Sequence, residues 1–121
     1  MDLIIIGASG FGREVLQIVK DINKEKQTWN VLGFLDDNPD ALEGYECDYA
    51  VIGSIKGWQP KENERFVMAI ANPKIKEEVT TRLEGKGAKF VSIIHPTAII
   101  GSFNKIGRGI VVYPYAKITV N

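Results

Sequence analysis

The stretch Asp2-Leu3-Ile4-Ile5-Ile6-Gly7-Ala8-Ser9-Gly10-Phe11-Gly12-Arg13-Glu14-Val15 decides the fold. The unbroken aliphatic run Leu3 to Ile6 suits a strand buried on both faces, as in a parallel sheet. Glycines 7, 10 and 12 crowd the turn that follows. Beyond them Val15, Ile18, Val19 and Ile22 recur at the spacing of one helix face, which predicts a helix over about 11–25. Ser9 stands where a cap is wanted, and Gly12 stands where a capping box would need Glu or Gln.

The same alternation continues downstream. Val31 to Leu35 reads as a second strand, stopped by Asp36-Asp37-Asn38-Pro39. Residues 40–48 read as a loop, Tyr49 to Ile52 as a short strand closed by Gly53, and 54–63 as a loop or weak helical turn. Arg65 to Ala71 is again a buried-strand pattern. Asn72-Pro73 opens a second helix with Ile75, Val79 and Leu83 as its apolar stripe, and Gly85 and Gly87 stop it. Ala88 to Ile94 reads as the last strand. Strands alternating with helices make the chain α/β, with a parallel sheet and helices on both faces.

After residue 93 the period changes. Aliphatic residues fall at Ile94, Ile100, Ile106, Val112 and Ile118, six apart each time, with Gly101 and Gly107 beside two of them and Gly109 nearby. A hexapeptide repeat is the mark of a parallel β-helix, in which three repeats close one triangular coil. Four residues after the aliphatic position a small residue is expected; Ala98 and Ala116 comply, whereas Asn104 and Ile110 do not. Residues 1–92 are thus expected to form one domain and 93–121 the first one to two coils of a left-handed β-helix. Such coils need stacked neighbours, and the pattern stops midway at Asn121, which reads as a piece of a longer protein.

Composition narrows the function. The 121 residues carry 15 Lys plus Arg against 15 Asp plus Glu, so nothing draws the chain to a nucleic-acid backbone. A phosphorylated small molecule stays open, because backbone amides bind phosphate without net charge. The single Cys47 excludes an internal disulfide and fits a cytoplasmic protein. The apolar start is too short for a signal peptide or a membrane span. One Cys and one His make no zinc site.

Candidate ligand-binding residues lie at the strand ends. Gly7 and Gly10 would let a phosphate approach the backbone at the positive end of a helix, and Ser9 adds a hydroxyl. The spacing G-x-x-G-x-G differs from the dinucleotide fingerprint. In a doubly wound sheet Asp36 and Asp37 come beside that turn, where a carboxylate can accept from a ribose hydroxyl or a base N–H; a solvated turn is the alternative. Asn72 either lines the same crevice or caps its helix. His95 has no acidic residue within eight positions, which favours a junction role over a catalytic one, and Trp29 and Trp58 read as packing residues.

Five segments together resemble the PglD/NeuD-type sugar acetyltransferases: Met1 to Glu14, Gly33-Phe34-Leu35-Asp36-Asp37, Val51-Ile52-Gly53-Ser54, Ala69-Ile70-Ala71-Asn72-Pro73, and Ile94-His95-Pro96-Thr97-Ala98. The resemblance implies a Rossmann-like domain that binds a nucleotide-linked sugar, expected to be a UDP-amino-sugar, through Gly7, Ser9, Gly10, Asp36, Asp37 and Asn72. It also implies a β-helix that forms a homotrimer and takes acetyl-CoA as co-substrate between coils, for O- or N-acetylation in glycan or polysaccharide biosynthesis. Phe11 stands where many members have histidine and Ala71 where many have glycine. The family's catalytic histidine and CoA-binding coils fall beyond Asn121, so the resemblance implies binding of the nucleotide-sugar without turnover, no catalytic residue within this chain and no CoA bound by it. Two rivals remain: a stand-alone Rossmann-type module binding NAD(P) or CoA for regulation, and a structural assembly module.

Overall fold

The aliphatic run forms a strand, β1 (Asp2–Ile6), in which Leu3 to Ile6 are fully buried. The computed structural model describes residues 1–100, 110–115 and 117–118. Around β1 stand α1 (Gly10–Glu25), β2 (Asn30–Leu35), β3 (Val51–Gly53), β4 (Glu64–Met68) and α2 (Pro73–Gly85). The four strands form one parallel sheet in the order β3-β2-β1-β4.

The two-residue period of a strand explains how a single apolar run serves two layers. Leu3 and Ile5 pack with Val15, Leu16, Ile18 and Val19 of α1. Ile4 and Ile6 pack on the opposite face with Val79 and Leu83 of α2. Helices therefore cover both faces, and each of these four side chains contributes about 2 kcal/mol by leaving water.

The strand order also fixes where a ligand can sit. From β1 the chain moves one way to β2 and β3, then returns to the other side of β1 for β4. The order reverses between β1 and β4, and at such a point the connections leave on opposite faces and open a crevice at the carboxyl ends. The turns that begin α1 and α2 flank it.

Three expectations are corrected. Ile75 is 47% exposed, so the buried stripe of α2 is Val79 and Leu83 alone. The strand expected over Arg65 to Ala71 lies at Glu64–Met68. The strand expected over Ala88 to Ile94 divides. Phe90 makes a single parallel bridge with Phe66 of β4, while Ile93–Ile94 (β5) leaves the sheet and pairs with Val111–Val112 (β7). Ile99–Ile100 (β6) likewise pairs with Lys117–Ile118 (β8).

Both tail pairings are parallel and join residues 18 apart, three hexapeptides. Two of the expected six-residue positions meet in each pair, Ile94 with Val112 and Ile100 with Ile118. Ile106, Asn104, Gly101, Gly107, Gly109 and Ala116 lie outside the described residues.

Candidate functional site at the carboxyl edge of the sheet

The first turn is built by two glycines. Gly7 has φ +100°, donates its N–H to the Leu35 carbonyl, and sits so near Ala69 that a Cβ would come within 2.8 Å of its carbonyl oxygen. At Gly12 a Cβ would run into the Gly7 carbonyl. The start of α1 thus lies directly on the turn, with no room for a side chain between them.

Ser9 is the N-cap of α1, in an extended conformation, yet its side chain makes no capping hydrogen bond. The first turn holds no acidic residue either. The leading amides of a helix have no partner within it, so at α1 they face the crevice uncapped. Ser9 and Gly10 are exposed there.

Asp36 closes the side of this turn. Its Oδ2 accepts the Ala8 N–H at 2.9 Å and its Oδ1 accepts the Asn38 N–H at 2.9 Å. The structure therefore brings Asp36 to the first turn, half-buried, as expected. Asp37 goes elsewhere: its Oδ1 accepts the N–H groups of Ile55 and Lys56, at 2.8 and 3.2 Å, and ties the turn after β3 to the end of β2. Asn72 caps α2, its Oδ1 accepting from the amides of Lys74 and Ile75 at 3.0 and 3.1 Å. Of the two roles open to Asn72, the geometry displays the cap.

One residue of the turn went without a role in the sequence. The Arg13 guanidinium lies 3.6 Å from the centroid of the Tyr45 ring, in the loop after β2. It also passes 3.7 Å from where a Gly10 Cβ would stand. A cation in the first turn of a helix runs against the helix dipole, and that conflict was the available signal.

The junction between sheet and tail is held by His95, which is 8% exposed. Its Nδ1 accepts the Thr97 N–H at 3.1 Å, which leaves Nε2 to donate to Asp21 of α1 at 2.8 Å. Thr97 Oγ1 lies 2.8 Å from the same Nδ1 and accepts the Tyr115 N–H at 2.7 Å. The hydrogen bond from His95, aided by one from Gln17, holds the Asp21 carboxyl below its usual range. His95 is a tie between α1 and the tail, in line with the junction reading.

Trp29 is half-buried against the α1-side core, and Trp58 donates its Nε1–H to the buried Glu64 at 3.1 Å. Among the described residues no His, Cys, Asp and Glu group is placed to hold a metal, and no helix is long and apolar enough to cross a membrane.

A parallel sheet covered on both faces, with a glycine-lined helix start at its switch point, defines the class: a Rossmann-like α/β domain. The chain matches the PglD N-terminal domain over residues 2–83 and belongs to that family. A GDP-perosamine N-acetyltransferase of Escherichia coli O157:H7 is 29% identical over 120 residues, covering 97% of this chain and 53% of that protein. The acetyltransferase domain of PglB from Neisseria gonorrhoeae FA1090 is 28% identical with a TM-score of 0.79, over 96% of this chain and 55% of that one. PerB from Caulobacter crescentus, solved with CoA and GDP-perosamine, shares the fold at a TM-score of 0.77 and 20% identity, over 100% of this chain and 54% of its own. The chain spans about half the length of the relatives it matches.

Proposed function

We propose that this chain is the nucleotide-sugar-binding part of an acetyl-CoA-dependent sugar acetyltransferase. Residues 1–92 form the binding domain and 93–121 begin a left-handed β-helix. The observation that carries the reading is the uncapped start of α1 at the switch point. Its amides, with Gly7 and Gly10 leaving the backbone bare, Ser9 beside them and Arg13 held near Gly10, suit a diphosphate. Asp36 fixes the turn through Ala8. Asp37 and Asn72 keep atoms beyond their structural bonds, Oδ2 and Nδ2, for base, ribose or sugar. The 18-residue step of the tail pairings supports the coil.

In the whole enzyme the acceptor group of the sugar attacks the acetyl thioester, forming the acetylated sugar and releasing CoA as the thiol, with the acceptor's proton passing to a base. The family resemblance favours a UDP-linked amino sugar. A second reading, a GDP-linked one, is favoured by the relatives named for GDP-perosamine. Calorimetric titration of the chain with UDP, GDP, NAD and CoA tests both. Heat with UDP or GDP supports the proposal and chooses between them. Heat only with NAD or CoA, or with none of the four, sinks it.

A further inference from the structure

The open amides at the start of α1 belong to Gly10, Phe11 and Gly12, which precede the first helical bond, from the Arg13 N–H to the Ser9 carbonyl at 3.0 Å. Two of these three residues have no side chain. Phe11 is therefore the one side-chain handle on the open amides, and it is set between glycines, whose backbone is the least constrained of any residue. That handle is gripped from the tail. The Tyr113 ring is stacked on Phe11, with centroids 6.3 Å apart and planes at 16°. The Tyr113 hydroxyl is hydrogen-bonded to Glu14, three residues further along the same face of α1, and the phenol is raised by burial first and then by that carboxylate.

The tail itself sets the place of Tyr113. Val111 and Val112, just before it, pair with Ile93 and Ile94, and the Tyr115 N–H, just after it, bonds Thr97 Oγ1 at 2.7 Å. Thr97 Oγ1 lies 2.8 Å from His95 Nδ1, and His95 Nε2 donates to Asp21 at 2.8 Å. The tail thus grips α1 at two heights about 15 Å apart along the axis, His95 at Asp21 and Tyr113 at Phe11. The second grip falls within the turn that offers its amides. Holding Phe11 in place removes freedom that an anion would otherwise have to remove on binding, and such preorganisation raises affinity without any new contact to the ligand.

We propose that Tyr113 is a positioning residue for the open turn: it acts through Phe11, without touching the ligand, so that anion binding at α1 and docking of the tail strengthen each other. The inference rests on the reading of that turn as the diphosphate site. Calorimetry of the 121-residue chain with UDP and GDP tests it, whichever binds serving as the probe. Tyr113→Ala should weaken binding about three- to tenfold, and Tyr113→Phe, which keeps the ring, should stay within about twofold of wild type. In a Phe11→Leu background Tyr113→Ala should cost less than about twofold, because its route to the turn is gone. Coupling is reciprocal, so saturating nucleotide should slow hydrogen exchange by the same roughly three- to tenfold at the Ile93 and His95 amides, which bond the Ile110 and Val112 carbonyls. The exchange measurement uses the wild-type chain and decides the matter if the alanine variant fails to fold. Four results overturn the inference and leave the diphosphate reading standing: unchanged affinity in Tyr113→Ala, a Tyr113→Phe variant as weak as the alanine one, tail amides indifferent to nucleotide, or an undiminished Tyr113→Ala loss in the Phe11→Leu background, which would put Tyr113 on the ligand itself. Absence of binding by UDP and GDP alike overturns both.

Discussion

The two helices begin at the same edge of the sheet and are finished in opposite ways. At α2, Asn72 accepts from two leading amides and Pro73 removes a third donor. At α1, Ser9 occupies the equivalent position and caps nothing, no acid stands in the first turn, and Arg13 adds a cation where the dipole is already positive. A helix end stabilised by its own side chains has little left to offer an anion. A helix end left open, on a turn too tight for any side chain, keeps its leading amides for an anion, as proposed above, at the cost of local stability. The contrast separates a capped terminus from an open one, proposed above to bind, at a single edge of the sheet.

Removing the tightness of the α1 turn should have the largest effect. Gly12→Ala puts a Cβ into the Gly7 carbonyl, which is backbone and cannot swing aside. A loss of about 3 kcal/mol in urea unfolding is expected. A change below about 0.5 kcal/mol would mean that the helix does not sit on the turn as described.

Converting α1 to the style of α2 comes next. Ser9→Asp supplies the missing cap with a carboxylate, which should raise stability by about 0.5–1 kcal/mol. The same carboxylate competes for the amides offered to a diphosphate. Affinity for UDP or GDP should fall at least about tenfold, some 1.4 kcal/mol. Opposite signs in thermal unfolding and calorimetry are the signature; equal nucleotide affinity would show that the open amides are not the binding site.

Asn72→Ala is the reciprocal change. It strips the α2 cap and should cost about 1 kcal/mol in the same unfolding assay. Binding of inorganic pyrophosphate should change less than about twofold, since the α1 turn is untouched. A larger loss would place Asn72 at the phosphates as well as beside base or ribose and blur the distinction between the two helix ends.

Most of the α1 side could be read in the sequence, because strand, glycine turn and apolar stripe are local patterns. The α2 side was less legible for the same reason. Ile75 falls on the apolar period, but nothing in the sequence tells that it stays exposed at the start of α2. The division of Ala88 to Ile94 was hidden because one β-rich segment serves two pairings, Phe66 with Phe90 and Ile93 with Val111, and both partners are distant in the chain. Asp36 was placed beside the first turn by topology alone, and so it is. Its neighbour Asp37 was paired with it by adjacency, whereas successive residues at a strand end point apart, and its partners at Ile55 and Lys56 belong to a loop without a pattern. Arg13 and Glu14 sat inside the quoted motif and were unremarkable until Tyr45 and Tyr113 were seen against them.

The smallest effect sharpens where each helix is anchored. α2 is held at its start; α1, open at its start, is tied further along by Asp21 to His95. Asp21→Asn keeps an oxygen to accept the Nε2–H, so only the charged part of the bond is lost and the destabilisation should be smaller than that of Asn72→Ala. The folded-state value of Asp21 lies below the ordinary 3.8, by virtue of His95 first and then Gln17, with a lesser charge effect from Lys24. A carboxyl so lowered contributes stability that is fully present above the unfolded value and is lost as pH falls through the folded one. Wild type should therefore exceed Asp21→Asn in urea unfolding at pH 6, with the difference shrinking as pH is lowered below 3.8. A difference that persists unchanged to the acid limit would place the stabilising partner of α1 somewhere other than this bond, and the two helices would then differ in their caps but not in how the fold secures them.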